Sequence, residues 1–220
     1  MIWKAFSQLT GGGSPRPPND VHSPWAPLPV ADVVELMRPV PFFWCLAGGQ
    51  AIERVVGKPY RTHDDIDVVV LRPDVLAVQE KMDGWQLSAA DPPGTLRTWE
   101  PGERLPWRVH DVWAHRANAP AWELQFMIQE ADGTSWYFRR DDRVNGRIDD
   151  LSIMVDGVPC LRMDLQLLYK SKSARPKDEE DFDRLLPHLG GLQRARLLEW
   201  LELTCPNGHQ WMYALEAWRD

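Results

Sequence analysis

The stretch that most restricts how this chain can fold runs from Trp44 to Leu71, WCLAGGQAIERVVGKPYRTHDDIDVVVL. Phe42 to Ala47 is an apolar run ending at Gly48-Gly49, and Ala51, Ile52, Val55 and Val56 then recur at helical spacing. Val68, Val69 and Val70 continue Asp65-Ile66-Asp67 as a β-branched run. The pattern predicts strand, glycine turn, helix, strand. Asp65 and Asp67 are then expected on the second strand, where residues i and i+2 point to one face about 6.6 Å apart. Two carboxylates side by side repel, and a divalent cation removes that repulsion. Hard oxygen donors suit Mg²⁺, which takes one or two carboxylates together with substrate phosphates. The glycine turn brings backbone N–H groups and a helix N-terminus to the same end of the unit, where phosphates bind. An isolated Asp-x-Asp is more often a solvated strand entry. Preceded by Gly-Gly within one strand-helix-strand unit, it becomes a candidate metal and phosphate site.

The whole chain narrows the classes. Its 220 residues suffice for a sizeable core, as one domain or a domain with a small appendage. A net charge of −7 argues against a broadly basic nucleic-acid surface. Cys45, Cys160 and Cys205 are odd in number and irregularly spaced, unlike a disulfide framework, which points to a reducing cytoplasm. No apolar run reaches the roughly 18 residues of a membrane span, and no cationic segment followed by an apolar core opens the chain. No membrane partner is expected.

Ala47-Gly48-Gly49-Gln50-Ala51-Ile52, then Gly57, then Arg61-Thr62-His63-Asp64-Asp65-Ile66-Asp67, resembles the signature of the antibiotic nucleotidyltransferases of the DNA polymerase β-like superfamily. The resemblance is especially to the aminoglycoside 2″-adenylyltransferase and lincosamide nucleotidyltransferase branch. It is specific over Trp44 to Val70, looser to about Trp113 and weak in the last third. It implies an α+β fold, the nucleotidyltransferase fold, with a mixed β-sheet flanked by helices and a C-terminal helical bundle. It also implies transfer of a nucleoside monophosphate, AMP foremost, from ATP or another NTP to a hydroxyl of a small, antibiotic-like acceptor, with Mg²⁺, two ions, as cofactor. The same core modifies proteins or tRNA in toxin-like relatives, and a non-catalytic relative would serve as a binding or antitoxin-like module. The chain's acidity argues against tRNA.

Residues 1–29 read as an arm or linker, because the stretch from Gly11 to Pro29 is rich in Gly, Pro and Ser. Residues 30–158 are expected to form the nucleotidyltransferase domain and 159–220 a helical region. Val33, Val34, Leu36 and Met37 suggest a helix ended by Pro39 and Pro41, and Arg72-Pro73-Asp74 starts another. Trp85 to Ser88, Thr95 to Trp99, Trp107 to His115, Trp122 to Gln129 and Ser135 to Arg139 read as short strands. Met163 to Lys172, Lys177 to Leu186, Leu192 to Leu203 and His209 to Trp218 read as helices.

Nucleotidyl transfer needs a further carboxylate to complete the metal shell and help remove the hydroxyl proton. Asp111, within RVHDVWAH, is the first candidate, and its alternative role is a partly buried acid paired with Arg108 or Arg116. Glu123, within AWELQFMI, is the rival. Gly48 and Gly49 are the candidate triphosphate cradle. Arg61 and Lys58 stand near the acidic strand as phosphate contacts, or Arg61 balances Asp64 as a loop cation. His63 either orders Asp65 or touches the nucleotide, and a structural role is favoured. Lys170 is a candidate phosphate contact from the helical region. The acids from Asp178 to Asp181, just after Pro176, are explained by the helix dipole. Cys205 and His209 do not make a zinc site. Trp99, Trp107, Trp113 and Trp122 fall in strands expected to border the site, mostly as core.

Overall fold

A computed structural model describes residues 17–217. In chain order the elements are α1 (Val30–Leu36), β1 (Trp44–Ala47), α2 (Gly48–Val56), β2 (Asp67–Leu71), α3 (Val75–Lys81), β3 (Trp85–Ala90), β4 (Leu96–Thr98), β5 (Asp111–Arg116) and β6 (Leu124–Asp132). They continue with β7 (Ser135–Tyr137), β8 (Asn145–Arg147), β9 (Ser152–Val155), β10 (Val158–Leu161), α4 (Met163–Ser171), α5 (Pro176–Leu185), α6 (Gly191–Thr204) and α7 (Trp211–Ala217). The expected α+β arrangement is what forms: a mixed sheet with helices gathered at the C-terminal end.

The main sheet runs β4-β3-β5-β6-β2-β1-β10-β9, and a ribbon of β7 and β8 extends from β6. Two pairs are parallel, β2 with β6 and β1 with β10; the others are antiparallel. Strand β2 lies between β1 and β6, and Val68 to Leu71 are buried, as a β-branched run in a covered strand should be. Helix α2 closes at Gly57, whose left-handed φ of 80° lets its N–H reach Glu53 O at 2.9 Å. The buried leucines of α4, α5 and α6 join the same core as Val68 to Val70, so the C-terminal helices pack on the body of the molecule. Asp164, fully buried, is held by Arg162 Nε at 2.7 Å and ties α4 to α6 through Arg196 Nη1 at 3.2 Å.

Three expectations change. Trp107 to Val109 lie in a turn before β5, and Trp107 is 79% exposed, so it belongs to no core. The hairpin β9–β10, absent from the sequence reading, turns through Asp156-Gly157, both at positive φ, and delivers β10 to pair with β1. Residues 1–16 of the expected arm lie outside the described residues. The described remainder is pinned: Ala26 N–H donates to Trp122 O at 2.8 Å and Leu28 N–H to Glu123 O at 2.9 Å.

Candidate active site

Ala47 is paired with Asp67 across β1 and β2, so the turn at Gly48-Gly49 starts α2 directly beside the acidic strand. Gly48 has a φ of +66°, and a Cβ there would fall 2.1 Å from Asp67 Oδ2. A Cβ on Gly49 would fall 2.1 Å from Arg61 Nη2 and 2.5 Å from His63 Nδ1. Two glycines are thus what let the helix start press against Asp67, Arg61 and His63. The Gly48 N–H donates to Gln166 Oε1 of α4 at 2.8 Å. The candidate cradle is therefore fastened from the helical region, and the N–H groups that follow Gly48 in the first turn of α2 have no carbonyl partner within the helix.

Register places the acids on one face. Asp67 pairs with Gln125, which pairs with Trp113; Val69 pairs with Met127, which pairs with Asp111. Asp67 and Asp111 therefore share a face on strands either side of β6, offset by two residues along the strands, which places their backbones about 12 Å apart. Asp65 stands just ahead of β2, which begins at Asp67, rather than within the strand as expected. Burial, the Asp65 charge and then the Asp111 charge raise the Asp67 carboxyl to about 7, against the pull of Lys170 and Lys177. A half-buried carboxylate crowded by acids is a site that a cation would relieve.

Among the described residues, no three His, Cys, Asp or Glu side chains gather closely enough to hold a metal ion. Mg²⁺ does not require three: Asp65 and Asp67 supply the one or two carboxylates it takes alongside phosphate oxygens, so the donor set fits. Asp111 is turned to other partners. It accepts from Gln125 Nε2 at 3.1 Å and lies 3.8 Å from Arg139 Nη1. Arg108 and Arg116, its anticipated partners, serve Asp91 and Glu123 instead. Glu123 is buried and accepts from the Arg116 N–H at 2.8 Å and Nε at 3.0 Å. Burial pushes the Glu123 carboxyl up, and the Arg116 bonds outweigh it, leaving it below its ordinary value. Its oxygens are committed to Arg116.

The basic groups meet on α5. Asp181, fully buried, accepts from Arg61 Nε at 2.8 Å, Arg61 Nη2 at 2.9 Å and Tyr60 Oη at 2.7 Å. Lys170 Nζ bridges Asp178 at 3.0 Å and Asp181 at 2.8 Å. Asp181, not Asp64, balances Arg61; Asp64 faces Lys177 at 3.8 Å. His63 Nε2 stands 2.9 Å from Glu53 Oε1, and its buried Nδ1 has no hydrogen-bond partner among the described residues. That orphan nitrogen sits against Gly49.

Sequence reading missed Gln166, Asp181 and Arg139 as parts of this site. Dipole complementation suffices for Asp178, which accepts the Arg175 N–H at 3.1 Å, yet it also binds Lys170. Asp181, one turn further on, carried no signal beyond its spacing from Asp178. Trp25, in the supposed linker, packs edge-on against Trp113 at 5.0 Å, and Trp113 against Trp122 at 5.6 Å. Trp99 and Trp122 are buried, as expected of core residues.

No protein-family model and no curated protein matches the chain. Among solved structures, the chain is similar to the lincosamide antibiotic adenylyltransferase LnuA with lincomycin bound, at 18% identity and a TM-score of 0.47, over 73% of this chain and 94% of that one. It is similar to ANT(2″)-Ia in complex with adenylyl-2″-tobramycin, at 12% identity and a TM-score of 0.49, over 79% of this chain and 95% of that one. The solution structure of the antibiotic-resistance factor ANT(2″)-Ia gives 14% identity and a TM-score of 0.48, over 86% and 93%. Those proteins are of the kinds that the Gly48 to Asp67 signature resembles in sequence. Identities of 12–18% and TM-scores below 0.5 assign no chemistry to this chain, which its own side chains must carry.

Proposed function

We propose that the protein is a Mg²⁺-dependent nucleotidyltransferase that moves AMP from ATP to a hydroxyl of a small, antibiotic-like acceptor. The observation that carries this reading is the contact of the Gly48-Gly49 helix start with Asp67, whose proton affinity is raised by burial and by Asp65 and Asp111. A triphosphate at the α2 N-terminus would meet backbone N–H groups, the helix dipole and the Lys170 charge. Asp65 and Asp67 would hold Mg²⁺, which supplies charge neutralisation on the phosphates and the departing pyrophosphate.

Asp111, on the same face, is the chain's own acceptor of the hydroxyl proton, and it orients that hydroxyl toward the α-phosphorus. The bonds that commit Glu123 to Arg116 support Asp111 over it in this role. Asp181 holds Arg61 against Gly49 and so shapes the cradle. The resemblance of the Ala47 to Asp67 signature to the antibiotic nucleotidyltransferases suggests the acceptor class. Three unpaired cysteines, Cys45 and Cys160 among them buried, suit a reducing cytoplasm. No helix among the described residues is long and apolar enough to cross a membrane.

Transfer of label from α-³²P-ATP, screened against aminoglycosides, lincosamides, tRNA and bulk protein, tests the reading. Label on a small hydroxylated compound, lost in Asp65→Ala/Asp67→Ala and in EDTA, is expected. Label on tRNA or protein instead would make the chain a toxin-like enzyme. Nucleotide binding without any transfer would favour a binding module.

A further inference from the structure

We infer that Arg139 is a positioning residue that holds Asp111 by an ion pair until a metal–nucleotide complex competes for it; the inference rests on the reading above. Asp111 shares a face with Asp67, yet among the described residues the acids do not form a three-carboxylate group. Register already sets the two acids on strands either side of β6, and Asp111 has partners of its own. Arg139 Nη1 stands 3.8 Å from Asp111 Oδ2, while Gln125 Nε2 holds Oδ1 at 3.1 Å. Those two groups fix the carboxylate on β5 and offset its charge.

Arg139 is itself braced by its surroundings. Its guanidinium lies over the Tyr169 ring at 5.6 Å. The Tyr169 hydroxyl donates to Gln129 Oε1 at 2.8 Å, and Gln129 Nε2 donates to Tyr137 O at 2.6 Å. Gln129 belongs to β6, two residues beyond Met127, which faces Asp111. Arg140 adds a second hold, donating from Nη1 to Tyr169 O at 3.2 Å. The β7 end thus aims one guanidinium at the third carboxylate, and the Asp111 and Arg139 side chains stay 30% and 20% exposed. At 3.8 Å the pair is an ion pair without a close hydrogen bond, strong enough to hold an acid and weak enough to exchange it for a cation.

This predicts sequential metal loading. A first ion binds at Asp65 and Asp67 with the triphosphate; a second needs Asp111 and must compete with Arg139. Mn²⁺ serves as the spectroscopic probe, titrated by electron paramagnetic resonance in the presence of a non-hydrolysable ATP analogue. The wild type is expected to bind one tight and one weak ion. Arg139→Gln tightens the weak ion about 3–10-fold, the expected size for removing one partly solvated charge. Arg139→Lys, which keeps the charge, stays near the wild type, and Asp111→Asn removes the weak ion. In the Asp111→Asn background Arg139→Gln has no further effect. Thermal melting of each variant confirms that it is folded.

An unchanged or weakened second ion in Arg139→Gln overturns the inference, as does an equal effect of that change with and without Asp111. In those cases a tight, nucleotide-dependent first ion leaves the nucleotidyltransferase reading standing. Absence of any nucleotide-dependent Mn²⁺ binding in the wild type overturns both.

Discussion

Replacing Asp67 by Asn should make the metal-free protein more stable while destroying its response to Mg²⁺ and ATP. The carboxyl of Asp67 is raised from 3.8 to about 7, with burial first among the causes and Asp65 next. An acid whose folded-state pKa is raised costs nothing below its unfolded value, and the penalty of ionising it grows as pH climbs between the two. The window here is pH 3.8 to about 7, and above it the penalty is complete. At 1.36 kcal/mol for each tenfold change in proton affinity, the upper limit is about 4 kcal/mol. For a chain of this size 1 kcal/mol moves Tm by about 2–4 °C, so a gain of several degrees is expected at pH 8.

Asn has the shape of Asp without the charge. The assay is thermal unfolding of both proteins in EDTA at pH 4.5 and pH 8, repeated at pH 8 with Mg²⁺ and ATP. The difference in Tm should be large at pH 8 and small at pH 4.5. Saturating ligand should raise the wild type by about 2.7 kcal/mol at a hundredfold excess over Kd, and leave Asp67→Asn unmoved. An Asn variant no more stable than wild type at pH 8, or equally stabilised at both pH values, would refute the reasoning.

Other outcomes follow from the same geometry. The affinity for Mg²⁺–ATP should fall as pH drops through about 7, because Asp67 must release its proton to accept the cation; calorimetry across pH 5.5–8.5 reads this. Gly48→Ala should lose most nucleotide affinity, since the new Cβ would fall 2.1 Å from Asp67 Oδ2 at a φ of +66°, and a Kd within threefold of wild type would contradict the close contact. Asp181→Ala strips the buried acid from Arg61, Tyr60 and Lys170, and urea unfolding should show a loss of about 3–5 kcal/mol. Glu123→Gln should keep transfer activity where Asp111→Asn abolishes it, and the reverse order would make Glu123 the third carboxylate.

The strand-turn-helix-strand unit was legible because each element obeys a local rule: β-branched residues in β2, two glycines at a helix start, Gly57 at its end. Asp111 was legible as an acid in an apolar strand, and register with Met127 puts it on the Asp67 face. Its partner was not. Arg139 comes from the far end of a ribbon, and nothing local marks it against Arg108, nearer in sequence. Asp181 was hidden for a similar reason, since an acid in a helical first half is explained by the dipole until tertiary packing buries it against Arg61. The hairpin at Asp156-Gly157 did carry a turn signal, with Val155 and Val158 flanking it, and required only that the Asp-Gly pair be weighed. Trp25 shows the opposite failure. Prolines around it read as linker, whereas backbone bonds of Pro24, Ala26 and Leu28 to Trp122 and Glu123 make this segment part of the sheet's rim.

The central claim is that Asp65 and Asp67, against the Gly48-Gly49 helix start, bind a nucleotide through Mg²⁺. Isothermal calorimetry of ATP, with and without Mg²⁺, on wild type and Asp65→Ala/Asp67→Ala tests it most directly. Binding by the wild type that requires Mg²⁺ and is lost in the double variant is the predicted result. Nucleotide binding that persists without Mg²⁺, or survives loss of both carboxylates, would contradict it.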